Sequence, residues 1–147
     1  MAATQYNVCL IDDDKIYQFT SRKILESTGL AKNILSFYNG SEAIGFFREK
    51  LTQGPNELPD VILMDINLPG ISGINALKLL ARDATTAHIP IIALSANANP
   101  TDIAKGLDAG FFRYLIKPIK VTEFMDTLDT AINFFAAPKP PLNSEDL

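Results

Sequence analysis

Carboxylates, a hydroxyl and a lysine follow apolar runs at four places in this chain. Val8-Cys9-Leu10-Ile11 leads into Asp12-Asp13-Asp14, and Val61-Ile62-Leu63-Met64 into Asp65. Two later runs end at Ser95 and at Lys117-Pro118. Carboxylates that converge at the ends of buried strands repel one another, and such a cluster is tolerable when a cation or a proton occupies it. Oxygen donors suit a hard cation such as Mg²⁺, which keeps several waters and needs only one or two acids. A carboxylate can also act as a nucleophile and take a phosphoryl group as an acyl phosphate. A lysine and a hydroxyl can then hold the new phosphate oxygens.

Taken singly, each residue has a plainer reading. Asp12 and Asp13 fit a solvated strand-to-helix turn, and Asp14 fits a cap or a favourable charge at the start of the next helix. Ser95 alone fits a helix cap or a loop hydroxyl, and Lys117 alone is an ordinary basic side chain. Asp65 is harder to dismiss, because it closes a fully apolar run and precedes Ile66-Asn67-Leu68-Pro69-Gly70, a loop with turn residues. Their joint order along the chain is the signal.

The elements that must position them alternate. Strands are expected at Asn7–Ile11, Ile34–Tyr38, Val61–Met64, Ile91–Leu94 and Arg113–Ile116. Between and after them, Ala43, Ile44, Phe47 and Leu51 fall at helical spacing, as do Ile74, Leu77 and Ala81, and Phe124, Leu128, Ala131, Ile132 and Phe135. Asn99-Pro100 with Asp102 is a helix start: a cap, a proline at the first position, an acid in the first turn. Gly29, Gly54-Pro55 and Gly110 punctuate the ends. Five strands alternating with five helices give an open parallel sheet covered on both faces. Ligands in such folds bind beyond the carboxyl ends of the strands, where all the residues above are placed.

Length and composition set the outer bounds. The 147 residues suit one domain with a proper core, and 47% hydrophobic with 20% charged residues is ordinary for a globular chain. A net charge of −4 argues against nucleic acid as a direct ligand, since phosphate binding wants a basic patch. The single cysteine, Cys9, permits no intrachain disulfide and fits a reducing cytoplasm. No apolar run reaches the ~20 residues that span a bilayer, so no membrane insertion is expected. Residues 1–6 lack the features of a signal peptide and read as an N-terminal extension. The unit itself is expected over 7–137. The stretch 138–147, starting Pro138-Lys139-Pro140-Pro141, has no apolar period and reads as a flexible tail.

At this point the chain resembles the receiver domain of two-component response regulators. The resemblance is carried by Ile11-Asp12-Asp13-Asp14, by the run from Pro59 to Gly70 around Asp65, by Ala93-Leu94-Ser95-Ala96 and by Tyr114-Leu115-Ile116-Lys117-Pro118. These motifs extend from about Asn7 to Phe135 in the family's order and spacing. The resemblance implies a flavodoxin-like (βα)5 fold with strand order 2-1-3-4-5. It implies Asp65 as phosphoacceptor and Mg²⁺ held by Asp12, Asp13, Asp65 and the backbone carbonyl of Asn67. It implies that Lys117 pairs with the phosphate, and that Ser95 bonds it and moves inward so that Tyr114 repacks. The surface of the fourth helix, fifth strand and fifth helix would then change. A cis Lys117-Pro118 bond is also implied.

His88, the only histidine, precedes Ile89-Pro90 at a strand start rather than standing on an exposed helix. The phosphodonor is therefore expected to be a histidine kinase or a histidine phosphotransfer protein. The resemblance is to a signalling receiver that assists its own phosphorylation and dephosphorylation, not to an enzyme acting on a separate substrate. It also leaves room for a weak or phosphorylation-dependent dimer. Two departures stand out. Ser95 takes a place usually held by threonine, and Phe112 takes one that is often polar. Phe112 reads as an exposed aromatic ahead of a partner contact. The competing reading is a phosphohydrolase of the haloacid dehalogenase type, which shares the acid, Mg²⁺, hydroxyl and lysine chemistry. It needs its nucleophile in a D-x-D motif on the first strand, whereas Asp65-Ile66-Asn67 breaks that motif and the acid pair lies upstream. A docking platform without phosphoryl chemistry would not need Asp12, Asp13, Asp65, Ser95 and Lys117 together.

Overall fold

Each short apolar run becomes a strand of one parallel sheet. The computed structural model describes residues 5–51, 58–68, 70–83, 86–96 and 99–136, without the side chains of 50, 51, 132 and 134–136. In chain order the elements are β1 (Tyr6–Ile11), α1 (Lys15–Thr28), β2 (Ala31–Phe37), α2 (Gly40–Leu51), β3 (Val61–Asp65), α3 (Gly73–Arg82), β4 (Ile91–Ser95), α4 (Pro100–Ala109), β5 (Arg113–Ile116) and α5 (Val121–Ala136). The sheet order is β2-β1-β3-β4-β5, and every pairing is parallel. This is the flavodoxin-like arrangement. The expected tail 138–147, residues 1–4 of the expected extension, the Gly54-Pro55 break, Pro69 and the side chains of Leu51, Ile132 and Phe135 lie outside the described set.

Period-two alternation along the strands divides the core in two. Cys9, Ile11, Ile62, Met64, Ile91 and Ala93 pack with Ala43 and Phe47 of α2 and Leu77 and Leu80 of α3. Val8, Leu10, Val61, Leu63, Ile92, Leu94 and Leu115 pack on the other face with Leu25 of α1 and Phe124 and Leu128 of α5. Strands β3 and β4 are buried at every position, as a sheet covered on both faces requires. Each large aliphatic side chain buried this way stabilises the fold by about 1.5–3 kcal/mol.

Register then sets the functional ends. Ile11 lies opposite Met64, so the next residues, Asp12 and Asp65, leave the sheet side by side. Ser95 lies opposite Ile116, which brings Lys117 to the same edge. β3 and β4 each run one residue beyond expectation and include Asp65 and Ser95 as their last members.

Two expectations are corrected. β2 begins at Ala31, three residues before the expected Ile34, and ends before the exposed Tyr38. Its polar start, Ala31-Lys32-Asn33, carries no apolar signal because β2 is an edge strand and needs burial only in part. Phe112 is not an exposed aromatic: it is half-buried and packs on the second cluster, while Phe111 is buried in the first. His88 is exposed on the turn before β4. The Lys117-Pro118 bond is cis.

Candidate functional site

Asp12 and Asp65 hold matching positions at the ends of adjacent strands. In each, Oδ1 accepts a hydrogen bond from the backbone N–H two residues on: Asp14 N to Asp12 at 2.9 Å and Asn67 N to Asp65 at 2.8 Å. In each, Oδ2 faces the Lys117 ammonium, at 2.8 Å from Asp12 and 3.0 Å from Asp65. One lysine from the end of β5 thus bridges the carboxylates that close β1 and β3. Its side chain is 6% exposed, and those of Asp12 and Asp65 are 4% and 8%. The local turns follow from residue type, since an aspartate bonds its own chain two residues ahead and shapes a strand-to-helix corner.

The repulsion expected among converging carboxylates is therefore partly relieved within the chain. Burial alone would lower the Lys117 ammonium, yet the two carboxylates outweigh it and hold the group above its ordinary value. Burial pushes the Asp12 carboxyl up, against the opposing pull of Lys117. Asp13 is the exposed member of the group. One carboxylate oxygen from each of Asp12, Asp13 and Asp65 lies within 4.8 Å of the other two. Three acids in an all-oxygen set fit a hard divalent cation such as Mg²⁺.

The surroundings hold these groups in place. Asp14 caps α1, its Oδ1 accepting from Ile16 N at 2.9 Å and Tyr17 N at 3.2 Å. This is the capping role read from the sequence. Ser95 is buried, and its carbonyl accepts from Lys117 N at 2.8 Å, so the chain entering the lysine is tied to the end of β4. Asn67 is exposed on the loop after β3. Tyr114 is half-buried and, with Ile66, Asn67, Ser95, Asp102 and Lys105, lines a cleft of about 140 Å³ beside the acids. Asp12, Asp13, Asp65, Ser95, Asn67 and Lys117 are all brought to the carboxyl edge of the sheet, while Tyr114 sits two residues before the end of β5, opposite Ala93, and borders the cleft from there.

Three further residues shape the site and were not read from the sequence. Gln18 is buried, and its amide donates to the carbonyls of Phe37 at 2.9 Å, Asp12 at 3.2 Å and Leu10 at 3.4 Å. It joins the ends of β1 and β2 where the acids emerge. The Tyr17 ring faces the Lys117 ammonium, 4.4 Å from Nζ to the centroid. Gly73 opens α3 against the backbone of the Asp65 loop, where a β-carbon would fall 2.6 Å from the Asp65 carbonyl oxygen. Only glycine allows that approach. The available signal was the α1 stripe Gln18, Ser21 and Leu25, in which two polar residues occupy core-facing positions.

Comparison with known proteins agrees with this geometry. Residues 8–129 match the family model of the response regulator receiver domain. The polar-differentiation response regulator DivK of Brucella anthropi is 34% identical over 122 residues, spanning 83% of this chain and 92% of that protein. The crystal structure of a two component response regulator from Cytophaga hutchinsonii superposes with a TM-score of 0.79 at 28% identity, over 89% of this chain and 99% of that one. The receiver domain of the sensor histidine kinase PA1611 from Pseudomonas aeruginosa PAO1, solved with a magnesium ion coordinated in its active site cleft, gives 0.72 at 30% identity over 89% and 99%. Among the described residues no helix is long and apolar enough to cross a membrane. The chain belongs to the response regulator receiver family, whose members are the phosphoacceptor modules of two-component signalling.

Proposed function

We propose that Asp65 accepts a phosphoryl group from a phosphohistidine on a histidine kinase or a histidine phosphotransfer protein, acting in the cytoplasm. An Asp65 carboxylate oxygen forms the new bond to phosphorus as the phosphorus–nitrogen bond to the donor imidazole breaks. Lys117, already at 3.0 Å from Asp65 Oδ2, pairs with the phosphoryl oxygens as charge builds on them. Asp12, Asp13, Asp65 and the backbone carbonyl of Asn67 would hold Mg²⁺, which when bound supplies charge neutralisation for those oxygens. Ser95 donates its hydroxyl to the phosphate, and Tyr114 changes its packing in response. The change is read at the α4-β5-α5 face, with a weak or phosphorylation-dependent dimer as one output. The module assists its own phosphorylation and dephosphorylation and turns over no separate substrate. It occupies 7–137, between an extension at 1–6 and a tail at 138–147.

One observation carries this reading: a single buried lysine bridges the carboxylates that end β1 and β3. The haloacid-dehalogenase reading is set aside, because the family match points elsewhere and Asp65 closes the third strand rather than the first. Incubation with phosphoramidate and Mg²⁺, followed by intact-mass measurement, tests the proposal. A single phosphate adduct is expected in wild type and absent in Asp65→Asn. An adduct that persists in Asp65→Asn, or that forms equally well with the metal chelated, removes the assignment.

A further inference from the structure

Among the described residues, three groups surround the Lys117 ammonium. Two are the Oδ2 atoms of Asp12 and Asp65. The third is the face of the Tyr17 ring, with Nζ 4.4 Å from its centroid. A buried ammonium needs partners for its charge, and an aromatic face supplies one through the negative potential of its π system. The carboxylates lie on the strand side of the lysine, and the ring comes from the first turn of α1. That turn is anchored by Asp14, which accepts from Tyr17 N at 3.2 Å. The ring is therefore held by the same corner that presents Asp12.

A lysine has a flexible four-carbon stem, and its usefulness to a developing charge depends on being in place beforehand. The two carboxylates alone do not secure this, because one of them must give up its contact when it takes on a phosphoryl group. The ring does not change in that step. We propose that Tyr17 is a positioning residue for phosphoryl uptake, holding the Lys117 ammonium over Asp65 with its ring face. The inference rests on the reading of Asp65 as phosphoacceptor. The phenolic hydroxyl has no part in it, so phenylalanine should serve as well as tyrosine, and leucine should not.

The test uses the full chain with Tyr17→Phe, Tyr17→Trp and Tyr17→Leu. Uptake from phosphoramidate is followed at saturating Mg²⁺, so that altered metal affinity does not enter. Tyr17→Phe and Tyr17→Trp should stay within about two-fold of wild type, and Tyr17→Leu should be slower by about five-fold, the factor to which roughly 1 kcal/mol of cation–π stabilisation corresponds. An independent readout needs no phosphate: ring currents should shift the Lys117 ε-methylene protons upfield in wild type and Tyr17→Phe, and leucine should abolish the shift. A Tyr17→Leu rate equal to wild type overturns the inference, as does a Tyr17→Phe rate as low as leucine's. Should Tyr17→Leu fail to fold, absence of the ring-current shift in wild type would still overturn it. Wild type that shows the shift but takes up no phosphate sinks the Asp65 reading, and this inference with it.

Discussion

The ring of Tyr114 lies directly against Gly106 in α4. A β-carbon on that glycine would fall 3.1 Å from Tyr114 Cδ2 and 3.3 Å from Cε2. Gly106 is the buried residue of its helix, and a glycine inside a helix costs roughly 0.5–1 kcal/mol relative to alanine. The space it leaves is filled by the ring of a neighbouring strand. Tyr114 also borders the cleft shared with Ser95, Asp102 and Lys105. The ring is therefore walled by Gly106 and has open space beside it in that cleft.

Gly106→Ala should push the Tyr114 ring by a few tenths of an ångström toward that cleft. Because the ring is half-buried and has space to yield, the helix gain should dominate, raising stability by up to about 1 kcal/mol. Urea unfolding measures the sign, and the ring proton shifts of Tyr114 measure the displacement. A loss of stability would show that the ring is fixed where it stands.

Lys117→Met should remove the only counter-charge bridging Asp12 and Asp65 among the described ion pairs. Breaking a buried pair from one side typically costs about 3 kcal/mol or more, and that loss is expected in the metal-free protein. Part of it should return with Mg²⁺. The pH dependence has a definite sign. The Lys117 ammonium is held above its ordinary 10.5, so the pair's contribution is complete below that value and is lost as pH rises through the folded one. Wild-type stability should fall on this alkaline limb, and Lys117→Met should lack that part of the fall. Paired urea titrations at neutral and alkaline pH check it.

Asp13→Asn should separate metal binding from folding. Asp13 is exposed and stands next to two carboxylates whose charge Lys117 offsets only by half. Removing its charge should leave the metal-free stability within about 0.5 kcal/mol of wild type. In wild type, Mg²⁺ at a hundred times its dissociation constant should add about 2.7 kcal/mol, and the same concentration should add less to Asp13→Asn. Melting curves with Mg²⁺ and with chelator decide the matter. Wild type indifferent to Mg²⁺ would remove the metal site.

The sequence made β1, β3 and β4 legible because strands buried on both faces are continuously apolar, and the acids and Ser95 follow those runs directly. The edge strand β2 was harder, since Lys32 and Asn33 are exposed and the start of the strand is tied to β1 through the pairing of Ala31 with Tyr6 and Asn33 with Asn7. Phe112 was misread because its burial depends on the second core cluster, which no local pattern reports. The lysine bridge was legible as a set of residue types but not as a geometry. Its form depends on the register that sets Asp12 beside Asp65. Gln18 and Tyr17 lay in an ordinary amphipathic helix, and their contacts are with chain ends and a strand distant in sequence.

Ser95→Ala tests whether the site and the α4-β5-α5 face are coupled. Ser95 is buried at the end of β4, its carbonyl accepts from Lys117 N, and it lines the same cleft as Tyr114. It thus touches both the chain that carries the lysine and the space that Tyr114 borders. Ser95 brings no carboxylate to the group formed by Asp12, Asp13 and Asp65, so the alanine variant should bind Mg²⁺ nearly as wild type does. Coupling between two sites is a free energy, typically ~1–3 kcal/mol, and it requires two arrangements that the phosphate distinguishes. The two candidate arrangements are Tyr114 against Gly106 and Tyr114 in the cleft. Beryllofluoride, as a phosphate mimic on Asp65, should therefore shift the amide resonances of residues 104–116 in wild type, with smaller shifts in Ser95→Ala. Equal shifts in both proteins would route the coupling away from Ser95. No shift in wild type would mean that Leu107, Phe112 and Tyr114 are not where phosphorylation is read.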